Sequence, residues 1–167
     1  TTDTDEFDAF TASVLQLRPE STGELRLRSA RIEDHPLIHP NYLATPLDQQ
    51  TIVEGIRMAR RICRHAPVAD LITEEHAPGK SVPDEDFDGL LNWARDTATT
   101  IYHPTGTCKM GSDPMAVVDE RLRVHGIDGL RVADASIMPV IVSGNTNAPA
   151  IMIGEKASDM IREDMRA

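Results

Sequence analysis

The sequence lacks several features that would assign it to a common class of protein. No apolar run among its 167 residues approaches the roughly 20 residues of a membrane-spanning helix, so we expect no membrane span. Its two cysteines, Cys63 and Cys108, form neither a CxxC pair nor a disulfide framework, which favours reduced thiols in a cytoplasmic protein. A formal net charge of −10 with scattered basic residues disfavours nucleic-acid binding.

A phosphate-binding loop is also missing. No Gly-x-Gly-x-x-Gly segment follows a predicted strand, and this segment is the usual device that brings backbone amides to the diphosphate of a dinucleotide. No metal site is predicted either. The carboxylates of residues 84–86 are interpreted as the start of a helix, where exposed amides favour negative charge.

The first hundred residues contain the pattern of an antiparallel sheet. Residues 10–17 are rich in strand-forming side chains, and residues 24–28 alternate between polar and apolar side chains. The turn-like residues between them predict that these two segments are adjacent strands. Residues 35–40 are predicted to be an irregular connector, because proline lacks a backbone donor and restricts the residue before it.

Two helices are predicted between residues 45 and 100. The first begins near Leu47 after a cap at Thr45 or Asp48, and its apolar stripe consists of Ile52, Ile56, Ala59 and Cys63. Its other faces carry the arginines Arg57, Arg60, Arg61 and Arg64. These arginines are interpreted as a solvated face, with an anion site as the alternative. The second helix is predicted to bury Phe87, Leu90, Leu91 and Ala94.

Beyond residue 100 the sequence predicts short strands and turns followed by one helix. Strand-like pieces at 117–118, 122–124 and 130–132 are separated by residue pairs that are typical of turns. Asn145 or Asn147 is predicted to cap the last helix. The predicted buried stripe of that helix is Ile153, Ala157 and Ile161.

Three segments of this second part carry a family resemblance. They read YHPTGTCKMG at 102–111, GLRVADASIMP at 129–139 and GNTNAP at 144–149. In this order and spacing they resemble the C-terminal region of the glucose-methanol-choline (GMC) oxidoreductases, and the choline dehydrogenase-like branch is the most similar. Residues 17–23 and 40–43 also resemble the sheet-bearing substrate domain of that family, so the resemblance covers nearly the whole chain.

The resemblance implies a cofactor and a reaction. It implies FAD as the cofactor, and the oxidation of an alcohol to an aldehyde or ketone by hydride transfer to flavin N5. It implies that His103 and Asn145 are the catalytic residues. The cofactor-binding residues that it implies are Asp134 and Ala135, near the ribityl or diphosphate part of FAD, and the backbone of Asn145, Thr146 and Asn147, near flavin N1 and the C2 carbonyl.

The chemistry of the two catalytic candidates agrees with these roles. An imidazole accepts a proton near neutral pH, so His103 could remove the hydroxyl proton of an alcohol. The carboxamide of Asn145 cannot act as a base, but its NH₂ group can donate a hydrogen bond to the substrate oxygen. Without the surrounding motifs, a histidine before proline is more typical of a loop, and Asn145 is typical of a helix cap.

We therefore expect an α+β protein with two parts. An antiparallel substrate-domain sheet flanked by helices is expected over residues 1–100, and an active-site segment over residues 101–167, whose tail and helix complete an FAD-binding domain that is mainly absent. The expected partners are a small-molecule alcohol and the N-terminal FAD-binding part of the same enzyme, or a second chain. Alone, the chain is expected to be an inactive fragment. The alternative is a non-catalytic binding or structural module derived from the same family.

Overall fold

The computed structural model describes residues 6–166, so residues 1–5 and 167, at the ends of the two predicted domains, lie outside the described residues. The described residues form a small α+β structure with a two-stranded antiparallel sheet and three α-helices. They divide into two compact units. The first unit comprises residues 6–21 and 42–98, and the second comprises residues 22–41 and 99–166.

The first unit is built around helix α1, Pro46–Cys63. The Thr45 hydroxyl caps it by accepting a hydrogen bond from the Asp48 amide at 3.3 Å, and Pro46 occupies the first turn, where a missing donor is tolerated. This confirms the predicted cap and start of the helix. The buried face differs from the predicted stripe because it centres on Val53 and Ile56, whereas Ile52 is only half-buried.

Arg60 of α1 is buried, which makes the prediction of a solvated arginine wrong at this position. Its side chain is 7% exposed and forms ion pairs with Glu75 at 2.8 Å and Asp84 at 2.7 Å. It also donates to the carbonyls of Gly79 and Val82 at 3.2 and 2.9 Å. The five donors of a guanidinium permit this arrangement, which a pattern of spacing does not reveal. The anions near this helix are therefore carboxylates of the protein itself.

Helix α2, Phe87–Thr97, packs against α1. The Asp86 carboxylate caps it by accepting from the Gly89 amide at 2.9 Å, and Leu90 and Leu91 are buried against the apolar face of α1, as is Ala94. The predicted buried side is thus confirmed for Leu90, Leu91 and Ala94, whereas Phe87 is half-buried. Of the acidic residues before the helix, Asp86 has the predicted role at the helix start, whereas the Asp84 carboxylate forms ion pairs with Arg60 and Arg64.

Asp48 holds the segment before residue 22 against α1. Its side chain is 2% exposed, and its carboxylate accepts the amides of Glu20 at 3.0 Å and Ser21 at 2.7 Å. Burial alone would raise the pKa of Asp48, but the hydrogen bonds from Ser21 and from the Glu20 amide outweigh it and lower the pKa to about 2. Asp48 therefore stabilises a turn rather than capping the helix.

The sheet pairs strands other than those predicted. Strand β1, Glu24–Arg26, is antiparallel to strand β2, Leu37–His39, with Leu25 opposite Ile38. Residues 10–17, predicted to be the partner, form no strand. The prolines at 36 and 40 flank β2 without removing one of its donors, so the segment predicted to be an irregular connector pairs instead. A Cβ atom on Gly23 would lie 2.0 Å from the His39 carbonyl oxygen, so this close approach requires glycine.

The rest of the second unit consists of loops packed on helix α3, Asn147–Asp164. The predicted strand-like pieces form isolated bridges, such as Val118 with Val124. The core consists of Val118, Leu122, Ile137, Met138, Ile153 and Ala157. Ile161, predicted to be buried, is 41% exposed. The predicted caps are also wrong, because Thr146 is the capping residue and Asn147 is the first helical residue.

Carboxylates at the end of α3 hold it to the loops, and Asp164 makes most of these contacts. Asp164 forms ion pairs with Arg121 at 2.9 Å and Arg123 at 2.5 Å, and also with Arg131. The hydrogen bond from Arg123 is the largest cause that lowers the pKa of Asp164, to about 2. Among residues 6–166, no helix combines the length and apolarity that crossing a membrane requires.

Candidate active site

His103 lies in the second unit, in contact with the start of α3. Its ring is half-buried, and its Nδ1 atom forms a hydrogen bond of 2.9 Å with the Thr146 hydroxyl oxygen. The two residues are 43 positions apart in the sequence. This hydrogen bond therefore joins two of the three segments that were singled out in the sequence.

The backbone that follows His103 is anchored to the remaining segment, residues 129–139. The Cys108 amide donates to the Ser136 carbonyl at 3.0 Å, and the Met110 amide donates to the Ile137 carbonyl at 2.8 Å. Gly106 has a φ of +87°, and a Cβ atom there would lie 3.4 Å from the Met138 carbonyl oxygen. A glycine at this position lets the chain turn toward residues 136–138 without strain.

The turn at Ala135–Ile137 is held by Asp134. The Asp134 carboxylate accepts a hydrogen bond from the Ser136 amide at 2.7 Å and thereby caps this short 3-10 turn. The turn contacts α3, and Ile137 lies in the same core as Ile153 of that helix. The structure thus brings the region of Asp134 and Ala135 to the same core in which α3 is packed.

The start of α3 is open. Thr146 is 7% exposed, and its carbonyl accepts the Ala150 amide at 2.9 Å, but its side chain makes no capping hydrogen bond to the helix. The first helical residues, Asn147 and Ala148, are exposed. A helix start of this kind presents amide donors and a partial positive charge, so it suits an anionic or electron-rich group.

Asn145 precedes this start and is exposed. Because consecutive Cα atoms are about 3.8 Å apart, its backbone is next to the residue that binds the His103 ring. Asn145 does not cap α3, so its carboxamide remains available for another partner. The preceding Gly144 lies in open space, since a Cβ atom there would meet no heavy atom within 4 Å.

His125 and the two cysteines lie outside the contact between His103 and Thr146. The Nε2 atom of His125 bonds the Gly111 carbonyl oxygen at 3.0 Å, which is a structural contact within the loops. Cys63 and Cys108 are free thiols. Within residues 6–166, no group of three or more His, Cys, Asp or Glu side chains could hold a metal ion. The hydroxyl of Thr146 is the site feature that sequence reasoning missed, because only the backbone of that residue was assigned a role.

Comparison with known proteins identifies relatives of the chain. Residues 19–154 match the family model described as GMC oxidoreductase. The chain is 46% identical over 152 residues to an alcohol dehydrogenase (acceptor) of Pseudomonas putida, which covers 91% of this chain and 27% of the relative. It is 46% identical over 158 residues to the mitochondrial choline dehydrogenase of Mus musculus, which covers 93% of this chain and 26% of the relative.

A solved structure gives the same result at the level of the fold. Formate oxidase of Aspergillus oryzae, in a structure that concerns the modification of its FAD, matches with a TM-score of 0.82 and 34% identity. The match covers 90% of this chain and 26% of the formate oxidase chain. The chain therefore spans about a quarter of the length of the relatives that it matches.

Proposed function

Because the chain belongs to the GMC oxidoreductase family, we propose that it carries the proton-accepting and substrate-positioning side chains of an FAD-dependent enzyme that oxidises an alcohol to an aldehyde or ketone. FAD supplies the hydride acceptor when it is bound. The remaining three quarters or so of such an enzyme, including the main FAD-binding part, belongs to the same polypeptide or to a second chain.

One observation carries this proposal. The 2.9 Å hydrogen bond with Thr146 fixes the imidazole of His103 at the open start of α3. Asn145 directly precedes Thr146, so its carboxamide lies in the same region. A base, an amide donor and a region of partial positive charge are thereby available within one small part of the second unit. This combination suits a reaction in which an alcohol loses its proton and a neighbouring group becomes electron-rich.

His103 accepts the hydroxyl proton of the substrate. The Nδ1 atom is held by Thr146, so the Nε2 atom is the one that takes the proton from the O–H bond. Loss of that proton makes it easier for the adjacent carbon to release a hydride, because the oxygen can then form a carbonyl. Positioned general bases of this kind contribute roughly 10²- to 10⁴-fold to rate.

Asn145 positions the substrate oxygen. Its exposed carboxamide has two N–H donors, and one of them can stabilise the negative charge that develops on the oxygen as His103 takes the proton. The amide itself cannot accept the proton near neutral pH. The two side chains therefore have separate roles, and neither can replace the other.

The residues that would hold FAD are those around the two turns of the site. The backbone of Asn145, Thr146 and Asn147 would fit an electron-rich edge of the flavin, because Asn145 and Asn147 are exposed and the amides at the start of α3 have no side-chain cap. Asp134 and Ala135 would lie against the ribityl or diphosphate part. For Asp134, the local bond to the Ser136 amide indicates that its carboxylate shapes the turn in addition to any contact with the cofactor.

The proposed substrate is a small alcohol of the kind that the relatives' names suggest. One relative is named choline dehydrogenase and another alcohol dehydrogenase, each at 46% identity over nearly the whole chain. Primary alcohols with or without a quaternary ammonium group are therefore the first compounds to test.

The experiment compares two histidines in the enzyme that contains this chain, with FAD bound. Under anaerobic conditions, addition of the alcohol should bleach the yellow flavin. His103→Ala should slow the bleaching by about 10²- to 10⁴-fold, as expected for the loss of a general base. His125→Ala is the matched control, because the His125 ring bonds the Gly111 carbonyl within the loops and has no proposed role in the reaction, so this variant should bleach at the original rate. Equal rates for the wild type and His103→Ala would refute the assignment.

A further inference from the structure

Thr146 occupies a helix cap but does not use its hydroxyl as a cap. Threonine at this position normally accepts a hydrogen bond from an amide of the first helical turn. In α1 the equivalent residue, Thr45, does so with the Asp48 amide. The Thr146 hydroxyl instead bonds His103, and α3 begins without a side-chain cap.

The environment of Thr146 makes this hydrogen bond persistent. The residue is 7% exposed, so water has little access to compete for its hydroxyl. The backbone of Thr146 is fixed as well, because its carbonyl accepts the Ala150 amide as the first bond of α3. The Thr146 oxygen is thus a fixed point against which the His103 ring can be oriented.

The chain on both sides of His103 is also constrained. Tyr102 has a φ of +62°, which is uncommon for a residue with a side chain, and its amide donates to the Thr100 hydroxyl at 3.0 Å. Pro104 follows and fixes its own φ. The backbone does not fix the rotation of the imidazole ring. A rotation by 180° would exchange the positions of Nδ1 and a ring carbon atom. Thr146 selects the orientation that places the nitrogen toward its hydroxyl.

We propose that Thr146 is the positioning residue for His103, and this rests on the proposed role of His103 as the base. The Nδ1–H group donates to the Thr146 hydroxyl oxygen, so the neutral ring carries its lone pair at Nε2. When the substrate O–H bond breaks, the proton forms an N–H bond at Nε2 with that lone pair. Thr146 neither gains nor loses a proton, and its oxygen stabilises the Nδ1–H of the imidazolium that results.

The test removes the hydroxyl while keeping the shape of the side chain. In the enzyme that contains this chain, with FAD bound, Thr146→Val should lower the rate of flavin reduction by about 10- to 100-fold, the size of loss seen when a partner that orients a metal-binding histidine is removed. The KM for the alcohol should change much less than kcat. Thr146→Ser keeps a hydroxyl and should restore most of the rate.

A matched threonine controls for the loss of a hydroxyl in general. The Thr97 hydroxyl donates to the Trp93 carbonyl at 2.7 Å within α2, so Thr97→Val also removes a hydrogen-bonded hydroxyl. It should react at the original rate. If Thr146→Val also reacts at the original rate, or if Thr146→Ser is as slow as Thr146→Val, the positioning role is refuted.

The rates of His103→Ala, Thr146→Val and the double variant separate this inference from the proposed function. If His103→Ala reacts at the original rate, the proposed function fails first. If His103→Ala is slow and Thr146→Val is not, only the positioning role fails. In the double variant, loss of Thr146 should add little to the loss of His103, because residues that act as a unit are not additive.

A spectroscopic readout does not depend on activity. With ¹⁵N-labelled histidine, the NMR signal of the neutral His103 ring should show a proton at Nδ1 in the wild type and in Thr146→Ser. In Thr146→Val it should show a mixture of the two tautomers. Unchanged tautomer populations in Thr146→Val would overturn the proposal, and Thr146→Ala serves as a second hydroxyl-free variant if Val does not fold.

Discussion

The two compact units of this chain place their polar side chains in different kinds of contact. In the unit of residues 6–21 and 42–98, Asp48 and Arg60 are buried, and each bonds several groups of the same unit. In the unit of residues 22–41 and 99–166, the buried polar side chain is Thr146, and it bonds His103. Polar burial thus stabilises structure in the first unit, whereas in the second we propose that it orients a candidate base.

The helix starts show the same contrast. Helices α1 and α2 of the first unit are capped by the side chains of Thr45 and Asp86. Helix α3 of the second unit has a threonine in the capping position but no side-chain cap. A side-chain cap typically contributes about 1 kcal/mol, so its absence is a small cost in stability. The comparison teaches that a cap diverted to a distant residue can mark a functional site.

The units also differ in how their chain is held. In the first unit two regular helices bury a shared apolar face, which is the usual source of stability for helices. In the second unit, the segment after His103 is held by amide-to-carbonyl bonds to the turn at Ala135–Ile137. The candidate site is therefore built on loops whose backbone bonds replace regular structure.

The largest expected effect on stability tests whether a buried charge stabilises the first unit. Arg60→Met leaves the carboxylates of Glu75 and Asp84 without their buried partner, and we expect a loss of about 3 kcal/mol, the low end for breaking a buried ion pair because both carboxylates are partly exposed. Hydrogen exchange of the amides in α1 and α2 would measure the loss in the enzyme that contains this chain.

The control for this prediction is a neighbouring arginine. Arg61 is on the same helix and is exposed, so Arg61→Met should change the protection of α1 by less than about 0.5 kcal/mol. If both variants lose the same protection, the buried ion pairs contribute no more than a surface charge, and the contrast between the units disappears.

Sequence reasoning predicted the elements whose signals are local. The start of α1 at Thr45 and the buried side of α2 follow from capping and periodicity, and both are confirmed. The pairing of β1 with β2 and the burial of Arg60 depend on contacts between segments that are distant in sequence. A pattern of spacing contains no information about those contacts.

The candidate site divides in the same way. Family resemblance singled out His103, Asn145 and the residues around Asp134, and their roles remain predictions. The contact between His103 and Thr146 spans 43 residues and could not be read from either segment. The same holds for the anchoring of Cys108 and Met110 on residues 136–137, which only the folded chain brings together.

A second prediction concerns the acid stability of the first unit. Asp48 has a folded pKa of about 2, below the value of about 3.9 for an unfolded aspartate, so its ionised form favours the folded state. Its contribution, on the order of 2 kcal/mol, should be complete above about pH 4 and should be lost as the pH falls toward 2. Hydrogen exchange of the Glu20 and Ser21 amides as a function of pH would measure it.

Asp48→Asn should be destabilised near neutral pH and should lack most of this acid dependence. Asp88→Asn, an exposed change in the first turn of α2, is the matched control and should follow the wild-type curve. A wild-type curve that stays flat between pH 4 and 2 would contradict the account of Asp48, because the amides of Glu20 and Ser21 would then be held equally well by a neutral carboxyl group.

The smallest expected effect tests how the second unit uses Asp134. Asparagine caps nearly as well as aspartate, so Asp134→Asn should keep the bond to the Ser136 amide, whereas Asp134→Ala should lose about 1 kcal/mol of local stability. If Asp134 acts by shaping the turn, FAD content will be retained in the Asn variant and reduced in the Ala variant, as measured by the ratio of flavin to protein absorbance. Equal loss of FAD in both variants would instead show that the charge itself is required. In that case Asp134, like Asp48 and Asp84 of the first unit and Asp164 of the second, would act through its charge, and the contrast between the units would be confined to Thr146.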